Sequence, residues 1–164
     1  MKTFKQFIHE SSLSRVVSKS KKGGTAILSG SRADKSKAEN KARAKQLDKD
    51  IKGKGLPGAT KATGRYTEKD DKTGKETKVR ERSHIVSSGK KGKRAFKKAV
   101  KSLGKKYGQD SVLVQKKKGT AGLTATRKGG LGDKKSVSIG KMRPGRPDKE
   151  GDTTVKKKPL SYVK

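Results

Sequence analysis

Short apolar runs alternating with two amphipathic stretches predict an α+β fold. The expected form is a small two-layer sandwich of order β-α-β-β-α-β with a mostly antiparallel sheet, flanked by disordered basic N- and C-terminal segments. Two observations carry that expectation. The apolar positions change period along the chain, from two in the runs to about 3.6 in the stretches between them. Helix caps and turn residues stand where the period changes. A mainly disordered polycation that folds only on an anionic partner is the competing reading.

Each element has its own warrant. Thr25–Ser29 (TAILS) is a short apolar run and a strand candidate. Ser36 with Glu39 three residues later is the capping-box signature of a helix start. Ala38, Ala42, Ala44, Leu47 and Ile51 then give that helix a thin apolar stripe, ended by Gly53 and Gly55. Residues 58–68 (GATKATGRYTE) and 78–87 (KVRERSHIVS) read as two strands of a hairpin around the turn DDKTG at 70–74. The segment 93–107 is the second helix, with Phe96, Val100, Leu103 and Tyr107 on one face and Gly108 as its C-cap. Ser111–Gln115 (SVLVQ) is the next strand, and weak strand signals follow at 123–126 and 136–139. The boundaries predicted are a flexible linker at 11–24, a small basic domain at 25–142 and an extended basic tail at 143–164.

Composition narrows the function classes. Among 164 residues, 47 Lys and Arg face 15 Asp and Glu, a formal net charge of +32. No apolar run approaches the roughly 20 residues a bilayer span needs. With no Cys there is no disulfide, thiolate nucleophile or zinc-cysteine site. A charge of this size points to a polyanion partner, above all DNA bound through its phosphate backbone without sequence preference, with RNA left open. Three Phe, three Tyr and no Trp leave too few aromatics for base stacking along a strand. The residues expected to carry nucleic acid are Lys90, Lys91, Lys93, Arg94, Lys97, Lys98, Lys101, Lys105, Lys106, Lys116, Lys117 and Lys118. Arg143, Arg146, Lys156, Lys157 and Lys158 extend the set into the tail.

No enzyme signature stands out, so no catalytic residue, metal or cofactor is expected. His84 lies in a predicted strand, on one face with Arg82 and Val86, and reads as a sheet histidine without chemistry. Asp70 and Asp71 read as turn formers. Glu81, between Arg80 and Arg82, reads as local charge balance. Gly129, Gly130 and Gly132 resemble part of a phosphate loop but lack its Lys-Ser/Thr.

The N-terminal decapeptide MKTFKQFIHE places Phe4, Phe7 and Ile8 on one helix face. It resembles the capsid-targeting peptide of the internal head proteins of large tailed bacteriophages, of the form Met-Lys-Thr/Ser-aromatic followed by Phe-Ile/Leu-X-Glu. The resemblance implies that residues 1–10 dock on the phage scaffold core. It also implies that a maturation protease cuts within Ile8-His9-Glu10-Ser11, after Glu10. A structural virion protein would follow, made in the host cytoplasm, packaged with DNA in the head interior and ejected with the genome. Residues 25–115 also resemble, more faintly, a small α+β domain of unknown function in bacteria and their phages. Two other functions stay open: a non-virion DNA- or RNA-binding protein, and a phage-encoded inhibitor or modifier of a host enzyme, with a host protein as its partner.

Overall fold

The computed structural model describes residues 12–69, 72–117, 119–145 and 151–163. Its elements in order are α1 (Ser12–Lys22), β1 (Thr25–Ser29), α2 (Lys37–Gly53), β2 (Thr60–Lys69), β3 (Glu76–Ser87) and α3 (Lys93–Lys106). They continue with β4 (Ser111–Gln115), β5 (Ala121–Ala125), β6 (Gly130–Asp133), β7 (Ser136–Pro144), β8 (Gly151–Val155) and β9 (Lys158–Val163). Eight of the strands close into an antiparallel barrel in the order β1-β3-β2-β8-β9-β7-β5-β4, with β4 returning to β1 through Ala26↔Val114.

The local signals that start these elements operate as expected. Ser36 accepts a hydrogen bond from the Glu39 amide at 3.2 Å, and the Glu39 carboxylate accepts one from the Ser36 amide at 2.8 Å. These bonds satisfy donors that a helix start leaves open. They also hold the Glu39 carboxyl below its ordinary range. In α3, Phe96, Val100 and Leu103 are buried, as their spacing requires. That helix sits close on the sheet. A Cβ at Gly104 would lie 2.5 Å from Val112 Cγ1, so the position admits glycine alone without movement.

Two apolar clusters occupy the two faces of the sheet. Outside, α2 and α3 pack Leu47, Ile51, Phe96, Val100 and Leu103 over Ala26, Leu28, Val86 and Val112. The opposite parity of the same strands, with Ile27, Ala62, Ile85, Met142, Val155 and Leu160, comes together around Leu13 and Val16 of α1. Those residues belong to strands all round the barrel, so they line its interior, and α1 is its plug. Leu13 and Val16 lie on one side of α1 at i, i+3.

The two-layer α+β sandwich with disordered termini is therefore corrected to a closed barrel with helices. The strands beyond Gln115 make the difference. β5, β7, β8 and β9 are rich in Ser, Thr, Gly and Lys, and among the described side chains β8 (GDTTV) contributes Val155 and β9 (KPLSYV) Leu160 to the inner cluster. A narrow barrel needs few inward residues per strand to fill it. Such strands have weak apolar signals and read as tail. At the other end, Ser12–Lys22 is helix where a linker is expected. The predicted peptide residues Phe4, Phe7, Ile8, His9, Glu10 and Ser11 lie outside the described residues, as do Asp70, Asp71, Lys118 and Arg146.

Candidate functional site

β1 pairs with β3 only as far as Ser29↔Ser83. Beyond that rung β3 continues with β2 alone on that side, and β2 pairs in turn with β8 through Tyr66↔Gly151. Gly64 stands directly across from Glu81, and Tyr66 from Val79. All four share the parity of Ile85, which places them on the inner face where the ribbon overhangs the barrel mouth. Tyr66 and Glu81 are diagonal neighbours, a relation that puts Cα atoms about 7–8 Å apart and within reach of long side chains.

The overhang forms one wall of a cleft of about 890 Å³. The opposite side is built by the loop after β1 and by the segment joining α3 to β4. Both are pinned. Arg32 donates its amide to Asn40 Oδ1 at 2.9 Å and its guanidinium to the Gly108 carbonyl and to Asp34 Oδ1, the latter at 3.2 Å. Arg43 donates to the carbonyls of Gly30 and Tyr107, each at 2.7 Å. Asp110 is held by Arg127 at 2.7 Å. The Arg32 hydrogen bond, joined by Lys35, keeps the Asp34 carboxyl below its ordinary range.

This cleft carries Asp34, Glu81 and Asp110 among the basic residues Arg32, Lys35, Lys37, Arg80 and Arg82, together with Tyr66, which at 37% exposure is the large apolar side chain left in solvent among the described residues. Asp34 and Asp110 are paired with arginines at the surface, and Glu81 is half-buried beneath the overhang. Its room comes from the glycine opposite. A Cβ at position 64 would lie 3.4 Å from Glu81 Cγ and 3.0 Å from Ser83 Oγ. Carboxylate and aromatic ring suit a ligand that is cationic at one point and flat at another, while Arg80 and Arg82, of the opposite parity, line the cleft from the other face of β3. Among the described residues no cluster of three or more His, Asp or Glu could hold a metal ion.

The residues singled out from sequence lie elsewhere. Lys93, Arg94, Lys97, Lys98, Lys101, Lys105 and Lys106 are on α3, Lys90 and Lys91 precede it, and Lys116 and Lys117 follow β4. Arg143 is on β7, and Lys156, Lys157 and Lys158 make the turn into β9. None of them lines this cleft, and Lys91, Lys93, Lys97, Lys116 and Lys117 instead rim a second cavity at the start of α3. Lys106 is itself ion-paired with Asp50 at 2.7 Å. His84, 3% exposed, donates from Nε2 toward Asp48 Oδ1 at 3.2 Å on the outer face under α2, in keeping with a sheet histidine. Sequence reasoning passed over Tyr66 and took Glu81 for charge balance. The available signal was a glycine and an aromatic two apart on a strand whose hairpin partner carries an acid flanked by two arginines.

The S-adenosylmethionine lyase family model matches residues 26–163, which take in all the residues lining the cleft. A solved structure described as a phage SAM lyase in complex with S-methyl-5'-thioadenosine is similar over 58% of this chain and 81% of that chain, at 20% identity and a TM-score of 0.40. No curated protein matches significantly. The family match overturns the internal head protein resemblance, and with it the scaffold, protease and DNA partners, the head-interior location and the expectation that the chain is not an enzyme. Net charge describes a whole surface, and a ten-residue peptide describes an address. Neither reports on a cleft built from strands far apart in sequence, and by its match over most of its length this chain belongs to the S-adenosylmethionine lyase family.

Proposed function

We propose that the protein cleaves S-adenosylmethionine in the cleft beneath the β2–β3 overhang, with Glu81 facing the sulfonium. The observation that carries this reading is where the acid lies. In a chain of net charge +32, the 890 Å³ cleft sets Asp34, Glu81 and Asp110 among five basic residues, with half-buried Glu81 diagonal to the exposed Tyr66, whereas the second cavity is lined by six lysines and no acid. A sulfonium cation finds a carboxylate in the first and none in the second.

The substrate's chemistry fixes the rest. Its sulfonium has three carbon–sulfur bonds, and cleavage without water needs a neighbouring C–H or an internal nucleophile. The methyl group has neither; the ribose arm has a neighbouring C–H and hydroxyls, and the amino-acid arm has a neighbouring C–H and a carboxylate, the stronger internal nucleophile. When an oxygen of the substrate's own carboxylate attacks the carbon that joins this arm to sulfur, a C–O bond forms as the C–S bond breaks and the electron pair returns to sulfur. The products are the neutral thioether S-methyl-5'-thioadenosine and a five-membered amino lactone, with no proton or water taken up. Glu81 holds the cation and so orients the arm, and Tyr66 offers its ring to the sulfonium or the adenine. Removing S-adenosylmethionine withholds the methyl donor from methyltransferases. Interference with host enzymes therefore lies closer to this reading than a structural head role does.

Purified protein incubated with S-adenosylmethionine should convert it to the thioether, read by liquid chromatography and mass spectrometry. Glu81→Gln should lower kcat/KM about 100-fold with the melting temperature kept, the scale for unpairing a desolvated charge. Unchanged substrate with the native chain, or full activity in E81Q, would sink the assignment.

A further inference from the structure

Ser29 is the last residue of β1, and its rung with Ser83 ends the ladder that joins β1 to β3. One more rung would set Gly30 against Arg82, but β1 leaves the sheet there and the Gly30 carbonyl accepts from Arg43 of α2 instead. A backbone carbonyl at the end of a ladder needs another donor. The Ser29 hydroxyl supplies one, donating to the Arg82 carbonyl at 2.9 Å while accepting the Ser31 amide at 3.1 Å. The Ser29 amide lies beyond the last β1–β4 rung, Ile27↔Leu113, and donates to Gln109 Oε1 at 3.0 Å. Gln109 is fixed in turn. Its amide donates to the Gly104 carbonyl at 2.9 Å, and its carbonyl accepts the Thr126 hydroxyl.

A single residue, 2% exposed and not itself part of the cleft lining, thus joins three segments that do line it. Arg82 belongs to the overhang, Ser31 to the loop after β1 and Gln109 to the segment between α3 and β4. Outward of Ser83, β3 keeps β2 as its strand partner and no other among the described residues. Glu81 is the next residue outward from Arg82, so a shift of the Arg82 backbone carries the carboxylate with it. We propose that Ser29 is a positioning residue, which through the Arg82 backbone fixes Glu81 at a set distance from the opposite wall of the cleft. This role rests on the cleavage reading given above. A hydroxyl can donate and accept at once, and alanine does neither. Its removal leaves a carbonyl and an amide unpaired at the hinge of the overhang.

The test is turnover of S-adenosylmethionine by the full chain, measured for the native protein, S29A, E81Q and S29A/E81Q together with their melting temperatures. S29A should lower kcat about ten-fold and leave KM within about three-fold, because misplacing a group that orients the substrate slows the reacting step. In the E81Q background the same substitution should change kcat by less than about two-fold, since the hydroxyl then has no carboxylate to position. Ser29→Thr keeps the hydroxyl on a β-branched side chain suited to a strand, and should return kcat to within about three-fold of native. Equal losses in both backgrounds, a loss carried by KM alone, or native kcat in S29A would overturn the positioning role and leave cleavage standing. An inactive native chain would overturn the cleavage reading, and the positioning role with it. Should S29A fail to fold, hydrogen exchange of the native chain decides. Saturating S-methyl-5'-thioadenosine should slow exchange of the Ser29 and Ser31 amides at least about ten-fold, and unchanged exchange there would overturn the role.

Discussion

Gly64 and Glu81 face each other across β2 and β3, and the absence of a side chain on one makes room for the carboxylate of the other. A strand interior ordinarily gains from Gly→Ala, because glycine loses more backbone entropy on folding. Here the added methyl presses on Glu81 and Ser83. Gly64→Ala should therefore keep the melting temperature within a few degrees while lowering kcat about ten-fold, the kind of loss a small misplacement of a reacting group produces. A parallel fall in stability and activity would show the glycine to be structural only. His84 offers a prediction of a different kind. Burial pushes its pKa below the ordinary value, opposed by Asp48 from α2 and reinforced by Lys61 across the hairpin. The folded state thus prefers the neutral ring. Its contribution is intact above the unfolded pKa of about 6.5 and is lost as pH falls through the lower folded value. Urea unfolding between about pH 7 and 5 should show stability declining with acid, and His84→Gln should flatten that decline.

At the scale of elements, much was legible in advance because the signals are local. The capping box at Ser36 and Glu39, the apolar face of α3 and the run SVLVQ each act within one helical turn or one strand, and β1, α2, β2, β3, α3 and β4 follow in the order expected. The β8–β9 hairpin was not legible, and its turn shows why. Lys156 and Lys157 both adopt positive φ, 46° and 67°, which gives the two-residue turn that joins Val155 to Lys158. Asn-Gly is the usual signal for such a turn, and two lysines signal nothing of the kind. They also carry the steric cost of left-handed backbone. Lys157→Gly should raise unfolding free energy by about 1 kcal/mol, measured by chemical denaturation, while leaving turnover in the distant cleft unchanged.

For the whole molecule, 47 basic residues against 15 acidic ones make the folded state self-repelling. Compaction brings those charges together, and screening relieves them. The melting temperature should climb by several degrees as salt rises from about 0.05 to 0.5 M, with saturation near the upper end. A flat or falling profile would show that local ion pairs such as Lys106–Asp50 and Arg127–Asp110 outweigh the global repulsion. The charge is thus a property of the whole surface, and the cleft is distinguished by Glu81 diagonal to Tyr66 rather than by an acidic lining.

The sequence by itself determined the net charge, the missing thiol chemistry and every element whose cause lies within a few neighbouring residues. Closure of the barrel was decided in three dimensions, because Val114 of β4 reaches Ala26 of β1, and Thr154 of β8 reaches Thr63 of β2, across long stretches of chain that share no local signal. The candidate site was decided there too. Glu81 between two arginines looks like charge balance along the chain, and it becomes an acid beneath an overhang only when Gly64 lies opposite and Tyr66 beside it. Side-chain chemistry is written in the sequence, but the company each side chain keeps is set by pairing register, which a polar, sparsely apolar strand does not announce.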